Sequence, residues 1–197
     1  MSCSAVVIGG SAGGLEALEL IFHGLPGDFA PPLLVVEHLH GSDGGAFARH
    51  LARMTALVVV EPCDKAVIEA GHVYAAPANY HMLVERSGSI SLSVDARVNW
   101  SRPSIDVLFE SAARAWGPAL VAVLLSGASV DGAKGMVAVK AAGGRTLAQD
   151  PHSASSPLMP EAAIDAGAVD DVLPPDQIAP RLLALCAQTE PVRVNGA

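Results

Sequence analysis

Ala5-Val6-Val7-Ile8-Gly9-Gly10-Ser11-Ala12-Gly13-Gly14, leading into a Leu/Glu/Ala run from Leu15, is the stretch whose reading decides the fold. A short apolar strand meets a glycine turn and a helix start, and the hydroxyl of Ser11 is left at the bend. Gly9-Gly10-Ser11-Ala12-Gly13 fits G-x-S-x-G, the nucleophile elbow. There a sharp strand-to-helix turn lifts a serine out of the sheet, beside backbone N–H groups that stabilise an oxyanion. The turn has a second meaning. Gly9, Ser11 and Gly14 occupy the glycine positions of G-x-G-x-x-G with serine in the middle, and Glu37 closes the next strand where it could hold a ribose. A dinucleotide-binding module is therefore the rival reading. The two part on whether the rest of the chain supplies a base and an acid for Ser11.

Outward from the elbow, strands and helices alternate. After the strand Ala5–Ile8, a helix is expected from about Gly13 to Phe22, with Leu15, Leu18, Ile21 and Phe22 at helical spacing and Gly24 and Pro26 as the stop. Leu33-Leu34-Val35-Val36 runs into Glu37 and His38, and such runs, apolar on both faces, belong to parallel strands covered by helices. Gly41-Ser42-Asp43 opens an expected helix through about Arg53, and Leu57–Val60 is a third strand of this kind. The middle reads differently. Gly71–Ala76 looks like a strand, and His81–Glu85 with Ser89–Val94 flank Ser87-Gly88 as a hairpin, so an antiparallel insertion or sheet edge is expected.

Regular order resumes with Ser104 as N-cap of a helix to about Trp116, then the strand Leu120–Leu125 and a helix through about Ala142. The strand Arg145–Gln149, a loop Asp150–Pro160, a short helix Glu161–Ala166, the strand Val169–Leu173 and a helix from Pro175 to about Ala187 complete the pattern. The fold class is α/β: a doubly wound, mostly parallel sheet with helices on both faces and a small antiparallel hairpin insertion, three layers in all. One catalytic-type domain is expected over residues 1–197, with its core at about 5–187 and a frayed tail at 188–197.

Composition narrows the function classes. Of 197 residues, 51% are hydrophobic and 16% charged, which excludes a disordered chain or a nucleic-acid-binding tail. The net charge of −8 argues against nucleic acid and anionic membrane surfaces as partners. Cys3, Cys63 and Cys186 are odd in number and widely spaced, so each reads as a buried structural thiol in a reducing cytoplasm. No basic signal region opens the chain, and no run reaches the ~20 apolar residues of a membrane span. A cytoplasmic protein is expected.

In an open α/β sheet, ligands bind beyond the carboxyl ends of the strands. That rule selects Ser11, His38, Asp131 and, less directly, Asp150 and His152. A serine hydroxyl needs an imidazole to take its proton and a carboxylate to fix that imidazole's tautomer. Two sets satisfy this. Ser11–Asp131–His152 follows the order of common α/β-hydrolases. Ser11–His38–Asp131 places every member at a strand end, and position favours it.

Several motifs, in order along the chain, resemble one family. They are Val7-Ile8-Gly9-Gly10-Ser11-Ala12-Gly13-Gly14, Val36-Glu37-His38, Arg102-Pro103-Ser104-Ile105-Asp106-Val107-Leu108-Phe109, Asp131-Gly132-Ala133-Lys134-Gly135, Ala148-Gln149-Asp150 and Met159-Pro160-Glu161-Ala162-Ala163-Ile164. Together they resemble the catalytic domain of the chemotaxis protein-glutamate methylesterases (CheB-type), over roughly Ala5 to Leu185. The resemblance implies Ser11 as nucleophile, His38 as base and Asp131 as the third triad member, with the Ala12 N–H as oxyanion donor. It further implies methyl-accepting chemoreceptors as protein substrate, hydrolysis of their γ-glutamyl methyl esters, deamidation of receptor glutamines in some members, separate signalling regulators as further partners, and no cofactor or metal.

Two departures stand out. Where the family form reads T-G-M-G-x-D-G, this chain has Ser126-Gly127-Ala128-Ser129-Val130-Asp131-Gly132, so Ala128 replaces a methionine that borders the site. The first strand begins at Ala5, so no N-terminal receiver fits before it; a stand-alone domain is expected, with a fragment of a longer chain as the alternative. A catalytically degenerate receptor-binding domain is the alternative that Ala128 motivates. His38-Leu39-His40 could be half of a metal site, but no ligand cluster completes it. His23, His50, His72, His81 and His152 read as surface or structural residues, Arg102-Pro103-Ser104 equally as helix start or substrate loop, and Trp100 and Trp116 as packing anchors.

Overall fold

The computed structural model describes residues 3–38 and 41–187, so the expected tail at 188–197 and the pair Leu39-His40 lie outside the described residues. In chain order the elements are β1 (Ala5–Gly10), α1 (Gly14–Gly24), β2 (Leu33–Glu37), α2 (Ala46–Leu51), β3 (Val58–Val60), β4 (His72–Ala75), β5 (His81–Val84) and β6 (Ile90–Ser93). They continue with α3 (Ile105–Trp116), β7 (Leu120–Leu124), α4 (Ala133–Ala141), β8 (Arg145–Gln149), α5 (Leu158–Asp165), β9 (Asp171–Leu173) and α6 (Pro175–Cys186). Seven strands form one sheet in the order β3-β4-β2-β1-β7-β8-β9, every pair parallel, and β5 and β6 form a separate antiparallel pair.

The continuous apolar runs are explained by two cores. Along β1, Val6 and Ile8 face a core with Leu18, Ile21 and Phe22 of α1, Leu51 of α2, and Ile178 and Leu182 of α6. Ala5 and Val7 face the other, with Leu108 and Phe109 of α3, Val139 of α4, Ala163 of α5, and Met82 and Ile90 of the hairpin. Side chains alternate across a strand, so a strand covered on both sides must be apolar at every position. The edges are less covered: β3 and β9 each leave residues at least partly exposed.

From β1 the chain passes to β2 on one side and later returns to β7 on the other. The switch in winding direction therefore falls between β1 and β7, where the strand ends open a crevice. The residues after these two strands, Ser11 and the segment 125–132, line it.

Three expectations about the elements, and one about the cysteines, need correction. The strand around residues 71–76 is no insertion: β4 is an interior strand, parallel to both β2 and β3, with Val73 and Ala75 in one core and Tyr74 in the other. Only the hairpin that follows is antiparallel. Second, α2 starts at Ala46, because Gly44 and Gly45 are left-handed (φ 57 and 76) and keep the preceding residues out of the helix, while Asp43 Oδ2 accepts from the Phe47 N–H at 3.2 Å. Third, α5 starts at Leu158, three residues before the expected Glu161. Pro160 lies in its first turn, where the missing N–H costs nothing. Among the cysteines, Cys186 is buried, Cys3 half-buried and Cys63 exposed, so the expected buried thiol holds only for Cys186.

Candidate active site

The backbone holds Ser11 at the bend. Gly13, at φ 81, is the N-cap of α1, a left-handed position that glycine takes without strain. The Ser11 N–H donates to Ser126 O at 2.9 Å, and Gly14 N–H donates to Ser11 O at 2.7 Å. The amide of Ser11 is thus committed, whereas that of Ala12 donates to no group among the described residues. Buried Ser126 clamps the turn from β7. Its hydroxyl donates to Ala12 O at 2.7 Å and accepts from the Ser156 N–H at 2.9 Å, and its N–H donates to Gln149 Oε1 at 2.9 Å. Gly127 permits the close approach: a Cβ there would lie 3.0 Å from the Ser11 Cβ and 2.4 Å from the Met159 Cε. Ala128 is exposed at the rim, and buried Met159 is the methionine that reaches Gly127.

His38 follows β2, the strand beside β1, and its N–H donates to Gly10 O at 3.2 Å, one residue before Ser11. Its Nε2 lies 2.8 Å from Asp131 Oδ2. Its Nδ1 lies 3.4 Å from the Ser101 hydroxyl. The Ser11 hydroxyl itself makes no hydrogen bond among the described residues, so the structure pairs His38 with Asp131 and leaves Ser11 adjacent but unjoined.

Asp131 is fully buried and surrounded by donors. Besides His38, it accepts from Asn99 Nδ2 at 2.8 Å, the Ser104 hydroxyl at 2.8 Å, the Ile105 N–H at 2.7 Å and the Asp106 N–H at 3.3 Å. The last two belong to the first turn of α3, whose dipole favours an anion. Burial pushes the Asp131 carboxyl up, but these bonds outweigh it and hold the pKa below the ordinary aspartate value. Asp106 goes the other way: burial, then the neighbouring charge of Asp131, raise it despite bonds from Gly135, Asn99 and Gly132.

The alternative base is not in place. His152 is exposed and bonds Asp150 Oδ1 at 3.0 Å, two residues away, so Ser11–Asp131–His152 is not assembled. His81 is buried and satisfied: its Nδ1 accepts from Ser104 N–H at 3.2 Å and its Nε2–H donates to Ala96 O at 3.0 Å. Arg102 holds its own loop, donating to Val94 O and Asp95 O, so the Arg102-Pro103-Ser104 segment serves as the entry to α3. Glu37 is buried, with Oε2 unpartnered and so close to Gly10 and Gly14 that a Cβ at either would lie within 3 Å of it. No group of three or more His, Cys, Asp or Glu side chains that could hold a metal occurs among the described residues, and His40 lies outside them.

Sequence reasoning missed Asn99 and Ser101, and weighed Ser104 as a helix cap or part of a substrate loop but not as a partner of Asp131. Ser104 does cap α3, but the same hydroxyl serves Asp131. A cap serine beside Asp106 in the P-S-I-D segment was the available signal. Asn99 sits in a turn with no pattern of its own. Trp100 is the clearest correction: it is 93% exposed and anchors no packing.

A doubly wound parallel sheet with serine, histidine and a buried carboxylate at its switch point is a hydrolase-type arrangement. The comparisons carry it to a family. The CheB methylesterase family profile matches residues 6–182, and the chain belongs to that family. A Leptospira interrogans protein described as a candidate protein-glutamate methylesterase/protein-glutamine glutaminase is 42% identical over 185 residues, covering 94% of this chain and 96% of that one. The Pseudomonas aeruginosa protein-glutamate methylesterase/protein-glutamine glutaminase 2 is 42% identical over 186 residues, and there the match spans 93% of this chain but 53% of the relative. The crystal structure of the Thermotoga maritima CheB methylesterase catalytic domain superposes with a TM-score of 0.89 at 33% identity, covering 94% of this chain and all of that one. Among the described residues, no helix is long and apolar enough to cross a membrane.

Proposed function

We propose that this chain hydrolyses γ-glutamyl methyl esters on chemoreceptors in the cytoplasm, releasing methanol, with Ser11 as nucleophile, His38 as base and Asp131 as the carboxylate that orients it. The observation that carries this reading is the 2.8 Å bond from His38 Nε2 to a fully buried, donor-ringed Asp131, one strand away from the elbow. An ionised Asp131 can only accept, so Nε2 carries the proton and Nδ1 presents its lone pair. Nδ1 is then the atom that takes the Ser11 proton. The Ser11 hydroxyl, which holds no other hydrogen bond among the described residues, is to reach it when substrate binds, displacing the Ser101 hydroxyl that stands 3.4 Å from Nδ1. Catalytic hydrogen bonds often tighten only once substrate is bound.

As Ser11 Oγ attacks the ester carbonyl, the unpaired Ala12 N–H stabilises the oxyanion. Asp131 stabilises the imidazolium, which returns its proton to the departing methoxide. Water, deprotonated by the same nitrogen, then attacks the acyl-serine, the imidazolium returns that proton to the departing Ser11 Oγ, and the glutamate carboxylate of the substrate is released. The relatives' double name also supports glutamine deamidation, in which ammonia replaces methanol as the leaving group.

Methanol release from a methyl-esterified peptide of a chemoreceptor signalling helix tests the reading. The wild type is expected to release methanol, and Ser11→Ala to lose about 10⁴–10⁶-fold in kcat while staying folded. Equal rates in both, or none in the wild type, would reject it and favour a receptor-binding domain without catalysis.

A further inference from the structure

Residues 98–101 form a tight reversal beside the site. Val98 and Ser101 pair antiparallel, with Val98 N–H to Ser101 O at 3.1 Å and Ser101 N–H to Val98 O at 2.9 Å. The two central residues, Asn99 (φ 49) and Trp100 (φ 66), are both left-handed, as in a type I′ turn. Asn-Gly is the favoured pair there. Asparagine tolerates the first position, but a tryptophan at the second is strained.

The turn is pinned to the site from both sides of Trp100. Asn99 Nδ2 donates to Asp131 Oδ1 and Asp106 Oδ2, each at 2.8 Å, and Ser101 Oγ stands 3.4 Å from His38 Nδ1. The indole is nevertheless 93% exposed, the most solvent-facing large apolar side chain on the described surface. Arg97 donates to Trp100 O at 3.4 Å, and Arg97, Asn99 and Trp100 line an open recess of about 470 Å³. Val130, next to Asp131 in sequence, is also exposed.

Neither folding nor the hydrolytic chemistry explains a strained, exposed tryptophan between two residues that touch the base and its carboxylate. We infer that Trp100, with Arg97 as a positive wall, binds the polypeptide that flanks the scissile ester and so confers preference for a protein substrate over a small ester. This rests on the esterase reading. A glutamyl side chain that reaches Ser11 brings its own backbone to the rim, where the indole offers a flat apolar face and Arg97 a partner for neighbouring carboxylates. In a chain of net charge −8, that local cation is what suits a glutamate-rich segment.

Trp100→Gly is the informative variant, because glycine fits the left-handed position and preserves the turn. Hydrolysis by wild type and variant is compared on a methyl-esterified receptor-helix peptide and on N-acetylglutamate γ-methyl ester. Expected is a loss in kcat/KM of about tenfold or more on the peptide, carried by KM, with the small ester unchanged within about twofold. Equal losses on both substrates, or no loss on the peptide, would overturn the inference. If the wild type hydrolyses neither, the esterase reading fails on its own. The inference then stands or falls on indole fluorescence: titrating the peptide into the Ser11→Ala protein should shift the emission, and removing Trp100 should abolish the shift. A peptide that binds without that shift, or not at all, contradicts it.

Discussion

Asp131 and Glu37 are carboxylic acids buried on opposite sides of β1, at the same end of the sheet, and their surroundings could hardly differ more. Asp131 meets the His38 ring, two side-chain donors and two amides of the first turn of α3, and is held ionised. Glu37 Oε2 lies where a Cβ at Gly10 or Gly14 would come within 3 Å of it, and it meets no donor. Burial, followed by the charge of Glu16, pushes its pKa well above the ordinary value. Burial is common to both, so it does not set the charge state. Donors do. His38 adjoins Glu37 in sequence yet takes its carboxylate from Asp131, 93 residues on, because that is where ionisation is stabilised.

The largest test of this contrast is Asp131→Asn, which keeps the shape and removes the charge. With the tautomer no longer enforced, kcat is expected to fall about 10⁴-fold with KM little altered, measured as methanol release. The matching change, Glu37→Gln, should leave kcat within about twofold. If the two substitutions behave alike, the contrast is wrong.

Next in size is Ser104→Ala. It removes both a donor to Asp131 and the cap that accepts from the Val107 N–H at 3.5 Å. A loss of about 1–2 kcal/mol is expected, or roughly 2–8 °C in Tm for a domain of this size, together with a lowered kcat. Threonine should restore most of both.

Stability against pH separates the acids further. The folded pKa of Asp131 is depressed, so its contribution is complete above the ordinary value of 3.8 and is lost as pH falls through the folded one. Glu37 has the opposite sign. The unfolded chain releases its proton near 4.5 while the folded protein keeps it, so stability declines as pH rises above that value toward the raised folded pKa. Urea unfolding of Glu37→Gln should therefore match wild type near pH 4.5 or below and exceed it modestly at neutral pH. A variant less stable than wild type at neutral pH would mean that the ionised carboxylate has a donor after all.

Much of this was legible in the chain itself. The strand-end rule and an apolar sheet sequence narrowed 7 histidines and 20 acids to His38, Asp131, Asp150 and His152 around Ser11, and the family resemblance chose His38 and Asp131 among them. What the residues did not reveal is what depends on distant partners. β4 reads like a hairpin strand because His72 and Tyr74 interrupt its apolar run, and only its place between β2 and β3 makes it a core strand. Asn99 bonds a carboxylate 32 residues away, and no local pattern announces that. Trp100 reads as a core residue because tryptophan usually is one. Its exposure follows from a turn whose left-handed backbone no propensity rule would assign to it.

The most direct measurement is the rate at which a fluorophosphonate labels Ser11, followed by mass spectrometry of the peptide that contains it. Labelling of wild type and Glu37→Gln at similar rates, with Asp131→Asn and His38→Ala slower by orders of magnitude, is the predicted result. An unlabelled Ser11 in the wild type, or a rate indifferent to Asp131, would contradict a serine activated through His38 by that buried carboxylate.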